Sequence, residues 1–110
     1  MAEFIQVSTT ASSRDEAERI AAALLEGRLA ACVQILGPMQ SRYWWKGSLE
    51  SAEEWLCLIK TAEASYADVE KMIRATHSYE VPEIVAVPIV KGSAAYLDWV
   101  REETSKKQFS

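Results

Sequence analysis

The sequence predicts a single α+β domain of the ferredoxin-like split βαβ type, an antiparallel sheet with helices on one face. Three observations carry this. Apolar runs and amphipathic helical stretches alternate in the order β-α-β-β-α-β, with a further helix at the end. The two central runs face each other across the turn Lys46-Gly47-Ser48 and read as a long hairpin. The chain has 110 residues, enough for one core, and no Pro-, Gly- or Ser-rich linker interrupts it.

Each element has its own justification. Residues 3–9 carry Phe4, Ile5 and Val7 and read as a strand. Ser13 with Glu16 forms a capping box, and Ala17, Ile20, Ala21, Leu24 and Leu25 recur with helical spacing until Gly27, placed as a C′ glycine. Residues 32–45 are a strand broken at Gly37-Pro38, where a proline implies a bulge or an edge. Residues 54–61 return. Ser65 with Asp68 marks a second cap, and Tyr66, Val69, Met72 and Ile73 a second helix. The segment from His77 to Pro82 is a loop, because a residue before proline leaves the helical region. Residues 83–90 form a strand that Pro88 puts at an edge or a bulge, and residues 95–103 a last helix with Tyr96, Trp99 and Val100 apolar. A polar, mobile tail is expected over 105–110.

The composition excludes several functions. Net charge is −4, with both signs spread along the chain, so no basic patch exists to hold nucleic acid. No apolar run approaches the ~20 residues of a bilayer span, and the N-terminus lacks a basic, apolar leader. A cytoplasmic protein without membrane partners is expected. Two cysteines, Cys32 and Cys57, have no CxxC spacing. Counting from a turn near 47–48, Cys57 should face Pro38 and lie six residues from Cys32, or ~20 Å. That is too far for a disulfide, whose Cα limit is ~7 Å. No GxSxG, GxGxxG or GxxxxGK[ST] is present, so neither an enzyme nor an organic cofactor is expected.

The hairpin argues for assembly. A 14-residue arm is ~46 Å long, whereas a 14-residue helix is ~21 Å. The arms therefore outrun any helix that covers them, yet they carry Tyr43, Trp44, Trp45 and Trp55. Burial against further copies of the chain is the simplest resolution. The alternatives are a tip that curls back on its own core, or one that binds another protein.

Candidate site residues are few. His77 is a nitrogen donor suited to Cu(II) or Zn(II), or else a loop histidine bonding nearby backbone. Cys32 is a thiolate donor or a buried structural residue, and Cys57 reads as core. Tyr79, Glu80 and Glu83, with Lys60 at the end of the returning strand, line a polar inter-subunit cleft or form an ion-pair network between subunits.

The segments ERIAAALLEGRLAACVQI, YWWKGSLESAEEWLCLIKT and HSYEVPEIVAVPIVKGSAAYLDWV resemble the CutA divalent-cation-tolerance family over nearly the whole chain. The resemblance implies a ferredoxin-like fold, a tight homotrimer laid out like the PII signalling proteins, and a cytoplasmic location. It also implies a role in divalent-metal tolerance, with copper as a proposed ligand and no established enzymatic activity. Cys32 matches the cysteine of the family's AACV segment and His77 the histidine of its HPYEVPE segment. Ser78 stands where the family usually has proline, which implies a looser loop. Thr9 and Thr76 stand where some members have a cysteine and a second histidine, which implies weak metal binding.

Overall fold

The computed structural model describes residues 2–105. The strands are β1 (Phe4–Ala11), β2 (Cys32–Trp45), β3 (Ser48–Ala62) and β4 (Ile84–Pro88); the helices are α1 (Arg14–Glu26), α2 (Tyr66–Thr76) and α3 (Ala94–Ser105). The sheet is antiparallel with order β2-β3-β1-β4, as the split βαβ pattern requires. The fourth strand is shorter than the expected 83–90. Residue 105 closes α3, and the rest of the expected tail, 106–110, lies outside the described residues.

Side-chain alternation divides the sheet into two faces. Ile5, Val7 and Ala11 of β1 lie on the same side as Cys57 and Ile59 of β3, and there they meet Ala17, Ile20 and Leu24 of α1 and Val69 and Ile73 of α2. This is the core. Phe4 alternates to the opposite face, where the Arg101 guanidinium of α3 lies 5.1 Å from its ring. Phe4 and Val100 are both buried, so α3 covers one end of the second face.

The caps depart from expectation in instructive ways. Ser13 Oγ accepts the Glu16 N–H at 3.0 Å, as a capping box predicts. The Glu16 carboxylate, however, reaches one residue further back and accepts the Ser12 N–H at 2.9 Å. Gly27 has φ −80°, and the left-handed residue after α1 is Arg28, at φ 59°. Arg28 is anchored there by an ion pair with Glu103 at 2.7 Å. Ser65 does not cap α2 with its side chain, because its own backbone is helical and closes the short 3₁₀ turn Glu63–Ser65.

The hairpin turns on two residues, Lys46 and Gly47, at φ 49° and 84°. Both positive values suit a type I′ turn, whose twist matches the flanking strands. Between Leu36 and Met39 the register slips by one residue at Gly37-Pro38. The earlier turn and the bulge together place Cys57 opposite Ile35 instead of Pro38. Cys32 is then only three positions away, ~10 Å along the strand. That still exceeds a disulfide's reach, and both thiols are free.

The bulge also exchanges faces. Before it, Val33 and Ile35 share the core face with Ile59 and Cys57; beyond it, Met39, Tyr43 and Trp45 pair with Glu54, Glu50 and Ser48 on the opposite face. Trp55 packs over the bulge against the chain's own core and is partly buried there. A β-carbon on Gly37 would stand 2.5 Å from Trp55 Cδ1, so only glycine fits beneath the ring. Gly37→Ala should lower the unfolding free energy by about 2 kcal/mol, the usual cost of overpacking. Urea unfolding should give a clearly smaller loss when the same change is made beside Trp55→Ala. Equal losses in both backgrounds would refute the contact.

Candidate functional site: the cleft between the hairpin and the 77–83 loop

The strand β3 runs past the end of β1, and the loop after α2 fills the space beside this overhang. His77 caps α2, donating its N–H to Ile73 O at 2.9 Å. Its ring then turns under the sheet end. Nε2 lies 2.6 Å from the Thr10 carbonyl, and Nδ1 accepts the Tyr79 N–H at 3.1 Å. Both contacts suit a neutral imidazole with its proton assigned to Nε2. The His77 side chain is 0% exposed, and Glu16, equally sealed, stands 3.9 Å from Nδ1.

Glu16 ties the loop to α1. One carboxylate oxygen accepts from Ser12 N and Oγ; the other accepts the Ser78 N–H at 2.7 Å. This overturns the expectation of a looser loop. Serine has an N–H where proline has none, and that donor fastens the segment to the helix. Beyond it, the Tyr79 hydroxyl donates to Glu54 Oε2 at 2.7 Å, joining loop to hairpin.

Between these parts lies a cleft of about 790 Å³. Thr10, Glu54 and Tyr79 form its floor, Tyr43 and Trp45 one wall, and Glu80 to Glu83 the other. Glu80 faces Lys46 at the hairpin tip across 3.9 Å. The hairpin tip therefore touches its own chain, although Trp44, on the other strand face, remains 73% exposed.

The expected ligand set does not assemble. Cys32 pairs with Lys60, whereas Thr10, which holds His77, pairs with Leu56. The four positions between Leu56 and Lys60 put Cys32 ~13 Å along the strand from the histidine. Cys32 lies instead beside Tyr96 of α3, whose phenol is pushed up by burial and by that thiol. Lys60 points the same way, donating to Gln34 at 2.6 Å, and takes no part in the cleft. Among the described residues no three His, Cys, Asp or Glu side chains converge as metal ligands. A metal on either nitrogen of His77 would have to displace the Thr10 carbonyl or the Tyr79 amide, so the histidine as held does not fit ligation. Tyr79, Glu80 and Glu83 do come together, joined by Tyr43 and Trp45, which were expected in an interface.

Sequence reasoning missed Glu54 and the second role of Glu16. Glu16 was legible as a helix cap, but its partner Ser78 lies 62 residues on. No spacing rule links the two. Glu54 read only as the start of a returning strand.

A family model described as CutA1 divalent ion tolerance protein matches residues 5–103. The chain belongs to the CutA1 family. It is 46% identical over 102 residues to the divalent-cation tolerance protein CutA of Archaeoglobus fulgidus, covering 93% of this chain and 97% of that one. Against the corresponding protein of Thermus thermophilus identity is 45% over 98 residues, 89% and 95% of the two chains. Among solved structures, Cut A1 of Thermus thermophilus superposes with TM-score 0.89 at 43% identity, over 91% of this chain and 97% of that one. CutA1 of Oryza sativa gives TM-score 0.90 at 34% identity, covering 93% and 94%.

In this CutA1 chain the Glu16 carboxyl ties stability to pH. Burial pushes its pKa up, but the hydrogen bonds from Ser78 and Ser12 outweigh burial and bring it down to about 2. A depressed carboxyl pKa stabilises the fold above the ordinary carboxyl range, and that stability is lost as pH falls from about 4.5 toward 2. Unfolding free energy should fall across this window, and Ser78→Pro, which deletes one donor, should start the fall at higher pH. A pH profile unchanged by Ser78→Pro would contradict the role given to that bond.

Proposed function

We propose that this CutA1-family chain serves divalent-metal tolerance in the cytoplasm, copper included, as a homotrimer that binds metal weakly and exchangeably. The supporting observation is the state of the donors. His77 has both nitrogens engaged, while Glu80 and Glu83 stand on the cleft, Glu80 held among the described residues by a 3.9 Å pair with Lys46. Metal contact then falls to hard oxygen donors at the rim, which suit many divalent ions and select sharply for none. The reading involves no catalytic step and no organic cofactor.

Assembly rests on the uncovered sheet face. Leu36, Val85 and Val87 are about half exposed. By register, Leu36, Val85 and Val87 lie on the face away from α1 and α2, beyond the end that α3 covers. Such a face is costly in water and favours closed, symmetric packing. The number three comes from the family resemblance.

A second reading, a PII-like module that takes a small ligand or partner in the cleft, is favoured by the cleft's size and aromatic wall. Calorimetric Cu(II) titration separates the two. Weak binding that EDTA removes, equal in wild type and His77→Ala and severalfold weaker in Glu80→Gln/Glu83→Gln, supports the first. Chelator-resistant binding lost in His77→Ala would overturn it, and no binding at all favours the second.

Light scattering at low micromolar concentration should give about three times 12.3 kDa. Val87→Asp, on that face, should reduce that mass with far-UV circular dichroism retained. A monomer mass for the wild type would refute the assembly.

A further inference from the structure

Helix α3 differs from α1 and α2 in what holds it. Among the described residues, none of its side chains belongs to the core that α1 and α2 form with the sheet. Val100 is its buried residue, and Tyr96 and Trp99, stacked with ring centroids 5.6 Å apart, stay about 40% exposed. Ahead of the helix, the Ile89 N–H donates to Phe4 O at 2.9 Å. Residues 90–93 then run exposed and without regular structure. An element with so little buried apolar surface has low local stability and can open while the core stays shut.

Two ion pairs supply what packing does not. Arg101 donates to both oxygens of Glu3, at 2.7 and 3.0 Å, and is oriented by Asp98 at 2.7 Å. Glu103 pairs with Arg28 at 2.7 Å. Arg28 has φ 59°; glycine would relax that backbone but could not reach α3. One pair thus fastens the helix to the residue ahead of β1, the other to the turn after α1. The side chains of both pairs are accessible to solvent, Glu103 least, so salt screens them. Beneath the helix lie Phe4, buried under the Arg101 guanidinium, and Cys32, half-buried and hydrogen-bonded to Tyr96.

We propose that α3 is a flap hinged at residues 90–93 and latched by the Arg28–Glu103 and Glu3–Arg101 pairs, with ionic strength setting how often it opens. An open flap frees the Cys32 thiol and uncovers Phe4. Phe4 lies two residues from Gln6, the partner of Val87, so opening extends the apolar sheet face. The flap depends neither on metal binding nor on the cleft.

The two thiols report on different events. Cys57 sits in the main core and reacts on global unfolding, whereas Cys32 reacts whenever α3 opens. The test labels the full chain with N-ethylmaleimide, an uncharged reagent, and locates the adduct by peptide mass spectrometry. Between about 0.01 M and 1 M NaCl the screening length falls from about 30 Å to about 3 Å. Cys32 labelling should rise at least about threefold over that range, as the weakening of two exposed ion pairs allows, with Cys57 unlabelled. The chain unfolded in urea gives the salt response of the bare thiol, which should be much smaller. Glu3→Gln/Glu103→Gln should label Cys32 at the high rate already in low salt, with far-UV circular dichroism unchanged. A wild-type rate that ignores salt overturns the proposal, as when another copy of the chain pins α3. So does an equal salt response in the urea-unfolded chain, Cys57 labelling in step with Cys32, or a folded double variant that labels at the wild-type rate. Should the double variant unfold, the wild-type salt series with Cys57 as its internal reference still decides.

Discussion

The carboxylate of Glu16 is the constraint on which the site end of the molecule depends. An unpaired charge so deeply buried costs several kcal/mol, and the fold tolerates it only because the Ser12 N–H and hydroxyl and the Ser78 N–H converge on it. The requirement works in both directions. To satisfy Glu16, the β1–α1 turn must present Ser12 and the loop after α2 must present Ser78. Once both are in place, His77 has no freedom left. Its backbone closes α2, and its ring is trapped between Thr10 and Tyr79. The loop that carries the cleft's acidic wall is thus positioned by a polar network rather than by apolar packing. Such networks are rigid when every member is satisfied and fragile when one is removed.

The hairpin depends on a different constraint, one of volume. The Trp55 ring occupies the space a side chain at residue 37 would need. The extra residue at the bulge then turns every later side chain of β2 to the opposite face. Without that shift, Tyr43 and Trp45 would lie on the face of the sheet that meets α1 and α2. With it, they line the cleft together with the acidic loop. One inserted residue therefore decides whether the aromatic arm belongs to a core or to a cleft, and no change of composition is needed.

These two constraints mark where the sequence was legible. Periodicity and turn chemistry located the elements to within a few residues, since helical and strand spacing are local, except the returning strand, read as 54–61 and found to begin at Ser48. Gly37-Pro38 could be read as a bulge for the same local reason. Its consequence for side-chain facing depends on the register with β3; the bulge, together with a turn placed one residue off, separates the expected partner of Cys57, Pro38, from the observed one, Ile35. Lys60 reads as a neighbour of the loop because both lie near strand ends, but in an antiparallel hairpin the end of β3 lies beside the start of β2, at the far end from His77. Glu54 and the Glu16–Ser78 bond were invisible because they join residues far apart in the chain through tertiary closure.

Ser78 sharpens the comparison with the family pattern. Where proline stands in this loop the φ angle is fixed by the ring, and the chain entropy lost on folding is smaller by about 0.4–1 kcal/mol. Serine gives up that advantage and gains an N–H. The hydrogen bond it donates to a buried carboxylate is worth about 1.5–3 kcal/mol, which exceeds the entropy forgone. The exchange is therefore favourable only while Glu16 is ionised. Below the pKa of about 2 at which Glu16 gains its proton, the carboxyl is a weaker acceptor and the balance reverses. A proline at this position fastens the loop by covalent geometry at any pH; this chain fastens it by charge, and so couples the shape of its cleft to the ionisation of a residue on α1.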